Sequence, residues 1–75
     1  MNTRQELQAL EQDPQIVVSV EFLGRGLCQA SIGDITHGYR EIGKLDSFSA
    51  AVEWLQEKAS QNYPESQYVQ HLSVK

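Results

Sequence analysis

From Ile16 to Leu23 the chain alternates with a period of two. Ile16, Val18, Val20 and Phe22 form one face, and Val17, Ser19, Glu21 and Leu23 a more polar one. A strand so patterned has little freedom, because slipping its pairing by one residue would move every apolar group to the wrong face. The segment Gly24-Arg25-Gly26 then leads into a second run, Leu27 to Ile32. A two-residue loop at Gly24-Arg25 would set Val20 opposite Gln29 and Phe22 opposite Leu27, mixing the faces. A three-residue loop pairs Phe22 with Cys28, Val20 with Ala30 and Val18 with Ile32, which places apolar groups together. Gly26 supplies the left-handed residue that such loops need. The core of the fold is therefore an antiparallel hairpin from Ile16 to Ile32.

Elements on either side build an α+β order. Thr3 and Glu6 have capping-box spacing, Leu7 and Leu10 share a helical face, and Asp13-Pro14 ends that helix. Gly33-Asp34 reads as a second tight turn, pairing Ile32 with Ile35 and setting His37 opposite Ala30 and Tyr39 opposite Cys28. Gly38 and Gly43 fall within the third strand, where glycine marks a bulge or bend. Asp46 or Ser47 caps a second helix, whose Phe48, Ala51, Val52, Leu55 and Ala59 recur at the spacing of a buried stripe. After Tyr63-Pro64, the alternation from Tyr68 to Val74 admits a fourth edge strand, parallel to the first in the sheet order 3-2-1-4. The expected fold is a three-stranded antiparallel meander packed by one main helix, order α-β-β-β-α, in one domain over residues 1–75.

Seventy-five residues with 40% hydrophobic and 21% charged content belong to the globular range, in which a chain this short buries about 60% of its unfolded surface. A deep catalytic cleft is hard to build at that size. The net charge of −4 opposes a phosphate backbone, whose binding depends on Lys and Arg. It is compatible with solubility or with a basic groove on another protein. With Cys28 as the single cysteine, no internal disulfide forms, and a reducing compartment fits. The N-terminal residues contain no apolar leader and no apolar run is long enough to span a bilayer. The expectation is a cytoplasmic protein without membrane contact.

The chain offers few groupings of chemically reactive side chains. One Cys and two His lack the paired spacings of a zinc site, so no metal or cofactor is expected. In the register above, Cys28 and His37 share a sheet face one pairing step apart, the only arrangement resembling a nucleophile and base. A buried thiol beside a core-edge imidazole accounts for it as well. Gly24-Arg25-Gly26 lacks the third glycine and following helix of a phosphate loop. Glu53 and Glu57 occupy the polar side of the second helix. No enzyme activity is expected.

What remains are residues that could make contacts. Leu23 faces Leu27 at the hairpin end, Arg25 stands at the tip, and Arg40 falls beside them if Gly38 leaves the register intact. Trp54 lies off the line of the apolar stripe and either packs against the short first helix or over a sheet edge, or serves as an exposed anchor. Leu23, Arg25, Leu27, Arg40 and Trp54 are thus the protein-binding candidates.

Helix, three antiparallel strands and helix over residues 3–62 resembles the layout of the double-stranded RNA-binding domain. In that family a basic helix start grips phosphates. The corresponding Leu45-Asp46-Ser47-Phe48-Ser49-Ala50-Ala51 carries no cation, so the resemblance implies the fold without that contact. Leu45-Asp46-Ser47 and the later Trp54 are also similar to the helix start and tryptophan of some small phage anti-CRISPR proteins, which implies an inhibitor. The leading expectation is a non-catalytic protein-binding module, with an inhibitor encoded by a phage or mobile element as its specific form. The partner is another protein or, through an edge strand at Tyr68–Val74 or Ile35–Ile42, a second copy. The alternative is a nucleic-acid-associated module with the same layout and an altered acidic surface.

Overall fold

The computed structural model describes residues 2–73. Its elements are α1 (Thr3–Glu11), β1 (Ile16–Gly24), β2 (Leu27–Asp34), β3 (Gly38–Leu45), α2 (Phe48–Asn62) and α3 (Gln67–Ser73). The strands form one antiparallel sheet in the order β1-β2-β3, and the α+β order expected from the sequence is the order observed.

The hairpin register is Val18 opposite Ile32, Val20 opposite Ala30 and Phe22 opposite Cys28. A shift follows between Phe22 and Gly24, so Gly24 rather than Leu23 sits opposite Leu27. The turn backbone explains it. Gly24, Arg25 and Gly26 have φ of 94°, 56° and 81°: Arg25-Gly26 forms a two-residue left-handed turn and Gly24 takes the bulge before it.

The second turn departs from expectation. Gly33 and Asp34 belong to β2, and the chain reverses through Ile35-Thr36-His37. The Asp34 Oδ1 accepts from the backbone N–H of Thr36 at 3.0 Å and of His37 at 2.8 Å, so a side chain builds this turn. Ile32 consequently faces Glu41, and Cys28 faces Leu45 rather than Tyr39. A bulge between Ile32 and Gly33 leaves Arg40 as the extra residue of β3.

Both longer helices pack on one face of the sheet. Ile16, Cys28, Ala30 and Ile32 from the strands meet Leu10 of α1 and Ala51, Leu55 and Ala59 of α2. Each large side chain buried there stabilises the fold by about 1.5–3 kcal/mol relative to exposure, so the period-two and helical stripes provide the main drive for folding. The helix starts are capped locally. Asn2, rather than Thr3, caps α1 in a reciprocal box with Gln5, and Ser47 caps α2.

No fourth strand forms over the described residues from Tyr68 to Ser73: that segment lies in α3, and Val74 lies outside the described residues. Tyr68 and Val69 are adjacent and both buried, which a strand with one exposed face cannot achieve. Ser66 Oγ accepts from Val69 N–H at 3.4 Å, and Asp13 Oδ2 accepts from Tyr68 N–H at 2.8 Å. Asp13 Oδ1 also receives the N–H groups of Gln15 and Ile16. One carboxylate therefore fixes both the entry to β1 and the start of α3.

Candidate protein-docking surface

The tip of the first hairpin brings together three of the five predicted contact residues. Leu23 is 46% exposed and Leu27 44%, with Arg25 between them at the turn. Phe22 is 67% exposed and stacks on Phe48 at a centroid distance of 5.7 Å, extending the apolar surface around the strand edge. Arg25 is the only non-glycine among the described residues with a left-handed backbone. That conformation costs an ordinary residue about 1–2 kcal/mol, and such costs cluster where a side chain is needed for function.

The face of the sheet away from the helices continues from this tip. Its rows are Glu21, Gln29 and Lys44, then Ser19, Ser31 and Ile42, then Val17, Gly33 and Tyr39. Ile42 and Tyr39 are exposed. Among the described residues, Arg25 and Lys44 join no ion pair. The tip therefore combines half-exposed leucines with two free cations on a chain whose net charge is negative.

Arg40 does not join this group. The shifted β3 register carries it to the opposite end of the sheet, within electrostatic reach of Tyr63, and the β3 cation nearest the tip is Lys44, which sits opposite Gln29. Trp54 is half-buried, and its ring covers Gly43, where an added Cβ would lie 2.7 Å from Trp54 Cε2. Lys58 Nζ stands 5.7 Å from the ring centroid and pairs with Glu41 at 3.4 Å, while Asn62 also bonds Glu41. Trp54 thus seals α2 onto β3, and Gly43 serves close packing instead of a bulge.

Cys28 and His37 are separated by the same change of register. Cys28 is buried opposite Leu45, whereas His37 is exposed in the second turn. The imidazole Nδ1 lies 2.9 Å from Asp34 Oδ1. Partial burial opposes ionisation of Asp34, but His37 and Thr36 outweigh it and hold the carboxyl below its usual value. This cluster is already accounted for by the turn it builds. No group of three or more metal-ligating side chains comes together among the described residues, and none of their helices is long and apolar enough to cross a membrane.

A groove that sequence reasoning missed runs between α1 and β1. Arg4, Leu7, Gln8 and Glu11 form one wall, and Val18, Ser19, Val20, Phe22 and Phe48 complete it. The wall residues of α1 recur at helical spacing, which was the available signal, but which strand they would flank depends on tertiary packing.

Comparison with known proteins finds no matching family model, curated protein or solved structure.

Proposed function

We propose that the protein is a non-catalytic binding module that docks another protein at the hairpin tip, through Leu23, Leu27 and Arg25 with Lys44 alongside. The observation that carries this reading is the conformation of Arg25: a guanidinium is kept where the backbone favours glycine, between two half-exposed leucines. The fitting partner surface presents apolar side chains flanked by carboxylates, since Arg25 and Lys44 form no ion pair among the described residues. On this reading the module works by occupying its partner's surface, as a small inhibitor does.

Arg25→Gly separates binding from folding. It relieves the left-handed strain and is expected to stabilise the domain by about 0.5 kcal/mol after glycine's greater unfolded-state freedom is subtracted. It should nevertheless weaken partner capture from native cells at least tenfold, as should Leu27→Asp. Paired measurements of melting temperature and quantitative capture test this. A partner retained equally by the wild type and both variants would exclude the tip. Salt-sensitive retention on duplex RNA or DNA, with no protein recovered, would favour the nucleic-acid alternative instead.

A further inference from the structure

The free edge of β1 offers a second interaction surface, independent of the tip. Gln15 C=O accepts from Ile35 N–H across the β1-β2 ladder at 2.8 Å. Successive residues of a strand direct their backbone groups to opposite sides, so Val17, Ser19 and Glu21 bond β2 while Val18, Val20 and Phe22 point outward. Ile16 also points outward, but its N–H is already taken by Asp13. Among the described residues the unpaired edge is thus the segment 18–22, bounded by a buried residue and by the Gly24 bulge. It lacks the usual protection of exposed edges, having no lysine, proline or bulge within it. By contrast, β3 carries a bulge and Lys44.

We infer that the protein forms a two-fold homodimer in which β1 pairs antiparallel with β1 of a second copy, centred on Val20. Val20 then faces its own copy, Val18 faces Phe22, and Ser19 faces Glu21. The three outward residues become three hydrogen-bonded pairs, giving about six inter-copy backbone bonds at two per pair. This register keeps the faces matched, making a continuous six-stranded sheet with all helices on one side, and covers the exposed Phe22.

The groove wall supports the same symmetry. Arg4 and Glu11 occupy the two ends of the α1 stripe that borders the edge. A two-fold axis brings antiparallel copies of α1 alongside, so Arg4 of each meets Glu11 of the other. An isologous interface demands this self-complementarity, which an arbitrary extended peptide would not need.

Sedimentation equilibrium of the intact chain, with charge variants at exposed or polar positions, tests the pairing. The wild type should reach twice 8.5 kDa with rising concentration. Ser19→Glu places carboxylates opposite Glu21 twice across the axis and should weaken association roughly tenfold, whereas Ser19→Lys should tighten it several-fold. Arg4→Glu should weaken it, and Arg4→Glu with Glu11→Arg should restore it. Circular dichroism of each variant at low concentration verifies that the monomer remains folded. A monomer at all concentrations, Ser19 variants that fail to act in opposite directions, or a double reversal that does not restore association would overturn the dimer. The tip variants Arg25→Gly and Leu27→Asp should leave the dimer intact, so its failure and that of the tip reading are distinguishable.

Discussion

Asp13→Ala is expected to destabilise the domain by about 3 kcal/mol, measured by urea denaturation. Asp13 is 8% exposed and its carboxylate accepts from Gln15, Ile16 and Tyr68, so the substitution strands three backbone donors. Hydrogen bonds to a charged group contribute about 1.5–3 kcal/mol each, and stranded buried donors cost a further ~1–3 kcal/mol. Water reaching the loop recovers part of that. The loss is serious for a domain of this length, whose whole stability is about 4–11 kcal/mol at ~0.05–0.15 kcal/mol per residue. A change below about 0.5 kcal/mol, the usual range for surface substitutions, would show that Asp13 does not hold α3.

The same group makes a statement about pH. Burial works to raise the Asp13 carboxyl, but the hydrogen bonds from Tyr68, Gln15 and Ile16 prevail and its folded pKa lies below the ordinary 3.8. Its contribution is therefore complete above the unfolded pKa and is lost as pH falls through the lower folded value. Wild-type stability should fall below about pH 4, and Asp13→Ala should flatten that limb. Asp34, also lowered, should leave part of it in place.

Gly33→Ala is expected to destabilise by about 3 kcal/mol or more, at the upper end for inserting a methyl into a packed site. A Cβ there would stand 1.8 Å from the carbonyl oxygen of Gly38 and 2.7 Å from Tyr39 Cα. These are backbone atoms and cannot rotate away. Relief requires opening β2 from β3 at the bulge, so loss of amide protection should begin at Gly38 and Tyr39. Unchanged exchange at those positions, with wild-type stability, would mean that the strands do not approach this closely.

The first hairpin was legible because apolar parity allowed only one pairing, and Phe22 opposite Cys28 follows from that rule alone. The second turn was not, because Gly33-Asp34 has turn composition while the reversal is built one step later by the Asp34 side chain. The misplacements in β3 descend from that step: Arg40 moved away from the tip, and His37 away from Cys28. The C-terminal segment misled for another reason. Its alternation from Tyr68 is weak and broken by Val69, and Tyr68 N–H bonds Asp13 from 55 residues away, a contact that no local pattern announces. Leu23, Arg25 and Leu27 were recoverable as tip residues because they depend only on the first hairpin. The α1-β1 groove depends on how two elements pack and had no comparable signature.

The placement of Trp54 over Gly43 also makes the molecule its own optical probe. The chain has a single tryptophan, and the indole is seated at the junction of α2 and β3. Its emission should shift to longer wavelength when that junction opens and water reaches the ring. Detachment of the helix from the sheet can thus be followed in unlabelled protein, separately from the loss of helical circular dichroism.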